Sequence, residues 1–172
     1  MPIYALGDRL PTIDPAAFVH PDAVVIGDVC IGPESSVWPT AVLRGDHGAI
    51  VIGAQTSIQD GTVVHCTATL DTVIGDRCVI GHNAHLEGCT IGDDSLIGSG
   101  SVVLHRAVVG PGALVGAGAV VGNDKVVPPR ARALGVPASI QEEAVTAGAF
   151  DHAVATYVRN VHWYAGELRR LS

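Results

Sequence analysis

Histidine and acidic side chains are concentrated in one part of the chain, between residues 44 and 87. The candidate functional residues of this segment are Arg44, Asp46, Gln59, Asp60, His65, His82, His85 and Glu87. Imidazole and carboxylate groups are common zinc ligands, and imidazole is also the most frequent general acid or base in enzymes. The segment therefore indicates a metal site or proton-transfer chemistry, provided that the fold brings these side chains together.

An aliphatic residue recurs at about every sixth position, and this repeat predicts the architecture. The series is Ile31, Val37, Leu43, Ile52, Ile58, Val64, Ile74, Ile80, Leu86, Ile91, Ile97, Val103, Val109, Val115, Val121, Val127 and Ala133. A six-residue period fits neither an amphipathic helix nor an alternating strand. It predicts a coil with three short sides, each of which points one aliphatic side chain inward. Residues 18–136 would form about six to seven such coils, stacked about 4.8 Å apart.

Small residues accompany the aliphatic series. A small side chain, such as Ser35 or Ala41, stands four places after most of the aliphatic residues, as a narrow and densely packed interior requires. Glycine often follows the aliphatic residue directly, for example at Gly53, Gly98 and Gly122. Because glycine relaxes the limits on backbone conformation, we expect the coil to turn its corners at these glycines.

The repeat is interrupted at three places, where a solenoid can carry functional loops. The step from Leu43 to Ile52 is nine residues, which predicts a bulging loop that contains residues 46–48. The step from Val64 to Ile74 is ten residues, which predicts a second loop over residues 65–71. The step from Leu86 to Ile91 is only five residues and predicts a tight corner at Glu87 and Gly88.

The composition changes after Pro128 and Pro129. Ser139 followed by Glu142 is typical of a capping box that opens a helix. Apolar residues then recur at helical spacing, namely Val154, Tyr157, Val158, Val161, Ala165, Leu168 and Leu171. We therefore divide the chain into a β-helix domain over residues 1–137 and a C-terminal helix over residues 138–172, packed on the outside of the β-helix.

Charge and composition exclude several classes of function. The net charge of −7 argues against a nucleic-acid partner. No apolar run reaches the length of a membrane span, and the first residues lack the features of a signal peptide, so we expect a cytoplasmic protein without a membrane partner. The four cysteines show no CxxC spacing and are expected to be free thiols, namely Cys30, Cys66, Cys78 and Cys89.

The coil geometry places part of the polar set in one column. Leu43, Val64 and Leu86 occupy the same side of successive coils, so the residues that follow them stack outward. These residues are Arg44, His65 and Glu87, and neighbours in the column are about 4.8 Å apart. His65 and Glu87 are therefore close enough to bind one ion.

His82 belongs to the preceding side of its coil and faces a different edge. Within one chain it is poorly placed to meet His65. In a trimer of parallel β-helices, His82 of one subunit could face His65 and Glu87 of the next. Gln59 lies on the same side as His82, one coil earlier.

Several segments resemble the gamma-class carbonic anhydrases. The resemblance rests on residues 43–46, on residues 57–60, on His65, and on Gly81 and His82 with residues 88–89 after them, and it is supported by flanking motifs at 37–39 and 134–138. The six-residue repeat itself resembles that of hexapeptide-repeat β-helix proteins, and this wider resemblance covers about four-fifths of the chain. The resemblance to the gamma class implies a left-handed parallel β-helix, a homotrimer with zinc between subunits, and a lyase that hydrates carbon dioxide to bicarbonate with zinc-bound hydroxide.

The same resemblance assigns roles to single residues. It implies that His65 and the neighbouring subunit's residue at the His82 position bind the metal. It implies that Gln59 orients the metal-bound water. It further implies that Arg44 and Asp46 form a salt bridge between chains, with Asp60 nearby at the interface.

The chain departs from the family at the third metal ligand. Five residues after His82, where the family has histidine, this chain has Glu87, and an additional histidine, His85, stands two residues earlier. Either Glu87 completes a set of two histidines and one carboxylate, which zinc and iron both accept, or His85 is the ligand and Glu87 supports the metal or acts as a base. The column favours Glu87. A carboxylate ligand predicts reduced activity at pH 7.

Two other functions remain open from the sequence. Hexapeptide β-helices include acyltransferases that use acetyl-coenzyme A, with a histidine as general base, and His82 or His105 could have that role. Alternatively, the chain forms a trimeric scaffold without activity, because Glu87 has disabled the metal site. The sequence also leaves open whether Cys66 helps to bind the metal.

Overall fold

The computed structural model describes residues 2–171 and consists of a left-handed parallel β-helix followed by one α-helix, which confirms the predicted fold class. The strands and the helix are, in chain order, β1 (Ile3–Tyr4), β2 (Thr12–Ile13), β3 (Phe18–Val19), β4 (Val24–Ile31), β5 (Ser36–Val37), β6 (Val42–Ile52), β7 (Ser57–Ile58), β8 (Val63–His65), β9 (Thr72–Ile74), β10 (Val79–Ile80), β11 (His85–Glu87), β12 (Thr90–Ile91), β13 (Leu96–Ile97), β14 (Val102–Val103), β15 (Val108–Val109), β16 (Leu114–Val115), β17 (Val120–Val121), β18 (Val126–Val127), β19 (Arg132–Leu134), β20 (Ser139–Gln141) and α1 (Asp151–Glu167).

The repeated aliphatic residues form the core of the β-helix. The strands of successive coils pair in parallel, with the exception of β20, so that Ile58, Ile80 and Ile97 lie in one register. All the aliphatic residues of the predicted series are buried, and each is at most 1% exposed. No helix among residues 2–171 is long and apolar enough to cross a membrane.

The glycines that follow the core residues stand at the start of the corners, where the Gly81 and Gly98 carbonyls accept the bonds that close the turns from the Ala84 and Ser101 backbone N–H groups at 3.3 and 3.2 Å. Their backbone is not left-handed, however, so conformational freedom is not the reason for glycine here. The left-handed backbone conformation occurs instead at other positions, including Arg77, Asn83 and Asp94, with φ of 56°, 57° and 57°. At Gly98, a Cβ atom would lie 2.4 Å from the Ala117 backbone nitrogen of the next coil. Glycine is needed at this position because the backbones of successive coils approach too closely for a side chain.

Two of the three predicted interruptions have the expected form. The segment 66–71 is a loop between β8 and β9, and Gly88 forms the tight corner with φ of +60°. Residues 46–48 are not a loop, which corrects the prediction, because β6 is continuous through them. The additional residues are accommodated by an irregularity in the pairing with β4, where Gly27 pairs with Gly45 but Val29 pairs with Ile50.

The C-terminal helix begins later than predicted. Ser139 does not cap a helix, because Ser139–Gln141 forms β20, which pairs antiparallel with β19. The helix α1 starts at Asp151, and its N-cap residue Phe150 makes no side-chain capping bond. The capping-box interpretation fails because the last strand of the sheet has unpaired backbone groups that residues 139–141 satisfy. Within the predicted segment 138–172, the helix is therefore limited to Asp151–Glu167.

An aromatic cluster attaches α1 to the first coils. Trp38, Phe18 and Val161 are buried together, and the Trp38 and Tyr164 rings lie 4.9 Å apart. The indole Nε1 of Trp38 donates to the Ser57 hydroxyl at 2.9 Å, so the buried polar atom of the ring is satisfied. The helix therefore covers one face of the β-helix near its start.

The cysteines differ in burial, which predicts a selective thiol reaction. Cys30 is exposed, whereas Cys66, Cys78 and Cys89 are buried. Burial raises the pKa of Cys78 and of Cys89 to about 12, so their reactive thiolate forms are scarce at pH 8. We expect a chromogenic disulfide reagent to modify one thiol per chain quickly in the native protein, and Cys30→Ser to abolish this fast phase. More than one fast equivalent per native chain would contradict the prediction.

Candidate functional site

The predicted outward column is present. Arg44 pairs with His65, and His65 pairs with Glu87, in the register of β6, β8 and β11. These residues stack in a column because the residues before them, Leu43, Val64 and Leu86, are fully buried on the inner side of the same strands. Alternation along each strand then directs the following residue outward.

The imidazole of His65 lies between two carboxylates. Its Nδ1 is 2.9 Å from Glu87 Oε1, and its Nε2 is 3.0 Å from Asp46 Oδ1. All three side chains are largely shielded from solvent, with exposures of 16% for His65, 15% for Asp46 and 23% for Glu87. The bulge in β6 brings Asp46 to this position, and the same carboxylate also contacts Arg44.

Both carboxylates have lowered pKa values. Burial opposes ionisation of Glu87, but the hydrogen bond from His65, the charge of that ring and the hydrogen bond from His85 together outweigh it, so the pKa of Glu87 lies below its ordinary value. For Asp46, burial is likewise outweighed by hydrogen bonds from His65 and Arg44, which lower its pKa. Glu87 and Asp46 are therefore anionic at neutral pH.

Two further histidines surround Glu87. His85 Nε2 lies 3.4 Å from Glu87 Oε2, and His105 Nε2 lies 3.6 Å from Glu87 Oε1. His85 was a candidate from the sequence. His105 was a candidate only as a base in acyl transfer, and its proximity to Glu87 was not predicted from the sequence. The five-residue step at the Gly88 corner was the available signal, because it shifts the following residues relative to the earlier coils.

His82 lies apart from this cluster, as the repeat predicts. Its Nδ1 is 2.9 Å from Asp60 Oδ2, and the two side chains are 48% and 46% exposed. Gln59, the residue before Asp60, is 5% exposed. Among residues 2–171, no three histidine, cysteine or acidic residues are arranged to hold a metal ion within one chain.

Arg44, Asp46 and Cys66 make further contacts within the chain. Arg44 and Asp46 contact each other within a single chain, whereas the resemblance implied a bridge between chains. Cys66 is buried, and its sulfur accepts a bond from the Gly48 backbone N–H at 3.3 Å. The thiol therefore stabilises the backbone of β6 at its bulge.

The chain belongs to the hexapeptide-repeat transferase family, whose fold is the left-handed β-helix described above. A family model for bacterial transferase hexapeptide repeats matches residues 71–104 and 88–123. A hexapeptide transferase family protein from Anaplasma phagocytophilum has a similar crystal structure, with 36% identity and a TM-score of 0.89. That comparison covers 95% of this chain and 98% of the other.

Two other proteins are similar to this chain. A putative acetyltransferase from Bacillus cereus shares 34% identity with a TM-score of 0.92, over 95% of this chain and 96% of the other. The carnitine operon protein CaiE of Escherichia coli K12 is 45% identical over 108 residues. This alignment spans 63% of the present chain but only 55% of CaiE.

Proposed function

We propose that the protein is a zinc-dependent, carbonic anhydrase-like lyase that hydrates carbon dioxide to bicarbonate at sites shared between the subunits of a homotrimer. The observation that carries the proposal is the division of the donor groups. His65 and Glu87 are in contact in one column, whereas His82 projects from a different edge and is oriented by Asp60. Each chain thus carries two separate groups of candidate metal ligands, which a trimer could bring together.

The donor set fits zinc, and also iron. Two imidazoles and one carboxylate form a combination that both metals accept. Because no complete set exists within the described part of one chain, the third donor would come from a neighbouring subunit. Nε2 of His82 has no partner among residues 2–171, and the hydrogen bond from Nδ1 to a carboxylate is typical of a ligating imidazole. His85 is the alternative third ligand, 3.4 Å from Glu87.

The chain's own residues would restrain the ligands. Asp46 holds the His65 ring on the side opposite Glu87, and Arg44 contacts the same Asp46 carboxylate. Arg44 and Asp46 would therefore fix the ring and the subunit interface rather than bind substrate.

The reaction would also use Gln59. This buried side chain lies beside Gly81, the neighbour of His82, in the register set by Ile58 and Ile80. Its amide would form a hydrogen bond that holds the attacking water. When bound, the metal would supply the Lewis acidity that makes water nucleophilic near neutral pH.

Acyl transfer from acetyl-coenzyme A is the second candidate. It is favoured by the pairing of His82 with Asp60, which leaves Nε2 free to act as a general base, and by the similarity to a putative acetyltransferase. His105 is less suited to this role because its Nε2 is buried. An acyltransferase of this kind does not need zinc, so metal dependence separates the two candidates.

The test is the metal content of the protein, purified without added metal or chelator, followed by stopped-flow assays of carbon dioxide hydration. We expect about one zinc or iron ion per chain and activity that a chelator removes and zinc restores. An intact trimer without metal or hydration activity would overturn the proposal. In that case, an assay of acetyl transfer from acetyl-coenzyme A would distinguish an acyltransferase from an inactive scaffold.

Replacing Glu87 tests the effect of a carboxylate ligand. Its negative charge should make the attacking water less acidic than three neutral imidazoles would, so we expect wild-type activity to be low at pH 7 and to rise with pH. Glu87→His should raise kcat/KM at pH 7 by about tenfold for each unit by which the pKa of the water falls. The measurement is a pH profile of both proteins, with Glu87→Gln as a control that removes the charge. A flat profile, or equal activity of the wild type and Glu87→His, would contradict this expectation.

A further inference from the structure

The imidazole of His105 has no role in the function proposed above, yet one of its ring nitrogens is in an unusual environment. Nε2 of His105 is buried and has no hydrogen-bond partner among residues 2–171, although the side chain as a whole is 35% exposed. A buried polar atom without a partner loses its contacts with water and calls for an explanation. Glu87 Oε1 lies 3.6 Å away, slightly beyond hydrogen-bonding distance.

The corner at Gly88 lets the His105 ring approach Glu87. Leu86 pairs with Val103, so His105 in the next coil lies beside Gly88. A Cβ atom at Gly88 would lie 3.2 Å from His105 Cδ2 and 3.0 Å from Leu70 Cβ. The Gly88 carbonyl also accepts a bond from the Arg106 backbone N–H at 2.7 Å, which ties the segment after His105 to this corner.

The Glu87 carboxylate needs a contact that does not come from a metal ligand. Oε1 already contacts His65, and Oε2 is 3.4 Å from His85, but both histidines are candidate ligands themselves. Ligating carboxylates are usually oriented by hydrogen bonds from residues that do not bind the metal. His105 approaches the carboxylate from the following coil and is suited to this task.

We propose that His105 is a positioning residue: a small closing of the 3.6 Å gap lets its Nε2–H donate a hydrogen bond to Glu87 Oε1, which fixes the carboxylate for metal binding. The role requires only the neutral tautomer that carries its proton on Nε2, and no change of charge. The effect on metal binding rests on the proposed function, whereas the contact between His105 and Glu87 does not.

Zinc affinity measured by competition with a chromogenic chelator tests the positioning role. His105→Leu removes the donor, while His105→Gln places an amide N–H near the position of Nε2. We expect the Leu variant to bind zinc about 10- to 100-fold more weakly and the Gln variant to stay within about threefold of the wild type. Equal affinities of all three proteins, or equal losses in both variants together with a lower melting temperature, would overturn the proposal.

The zinc-free protein separates failure of this proposal from failure of the proposed function. In a spectrum of histidine-labelled protein that correlates ring protons with ¹⁵N, we expect His105 to be protonated on Nε2, with a proton that exchanges faster in Glu87→Ala. A wild type that shows this signal but binds no zinc would support the contact and overturn the metal site. Protonation on Nδ1, or a signal that Glu87→Ala leaves unchanged, would overturn the proposal about His105.

Discussion

Gly98→Ala should lower the free energy of unfolding by about 3 kcal/mol, which is the upper end of the usual cost of overpacking. The added Cβ would lie 2.4 Å from the Ala117 backbone nitrogen and 2.7 Å from the Gly116 carbonyl carbon. Both atoms belong to the next coil, whose position is fixed by parallel pairing on every side. The strain cannot be relieved by rotating a side chain, so two coils have to move apart.

Gly122 provides a matched control for this substitution. It follows the core residue Val121 as Gly98 follows Ile97, but a Cβ added at Gly122 would meet nothing within 4 Å. Gly122→Ala should be neutral or stabilising by about 0.4–1 kcal/mol, because alanine restricts the unfolded chain. Urea unfolding of both variants at one protein concentration measures the difference. Similar urea midpoints for the two variants would show that close contact between coils is not the reason why glycine occurs at these positions.

His82→Ala should reduce kcat/KM by about 100-fold or more under either candidate chemistry, because a metal ligand or a general base is lost. Stability of the metal-free protein should change little, since His82 is 48% exposed in the chain and its hydrogen bond to Asp60 is at the surface. The metal content then distinguishes the two roles. It should fall with activity if His82 is a ligand, and it should stay at the wild-type value if His82 is a base.

His162 is a suitable control because it is also an exposed histidine paired with a carboxylate. Its Nε2 lies 3.1 Å from Glu34 Oε1, and its side chain is 64% exposed. His162→Ala should leave both kcat/KM and metal content within about twofold of the wild type, as expected for a surface position. If His82→Ala were as active as His162→Ala, neither metal binding nor base catalysis by His82 could be maintained.

The core and the outward column could be predicted from the sequence because both follow from the hexapeptide period. Once Leu43, Val64 and Leu86 are placed inside, alternation along the strands directs His65 and Glu87 outward in register. The separation of His82 from His65 follows in the same way. These predictions needed only the positions of the aliphatic residues and the strand spacing.

The remaining contacts depend on departures from the period, which the sequence does not determine. The nine-residue step could be accommodated by a loop or by a bulge, and only the bulge in β6 brings Asp46 to His65. The proximity of His105 to Glu87 likewise depends on the conformation of the Gly88 corner. The helix start was predicted wrongly because local capping signals compete with the backbone pairing of β19, which Ser139 joins.

The reversal of chain direction at β20 covers one side of the last coil. A stack of parallel coils ends in a strand whose free N–H and C=O groups can template another layer, from the same molecule or from a different one. Arg132, Ala133 and Leu134 of β19 are instead paired with residues that run the opposite way. Parallel stacking on this side therefore ends at β19, and a further parallel coil could pair there only by displacing β20.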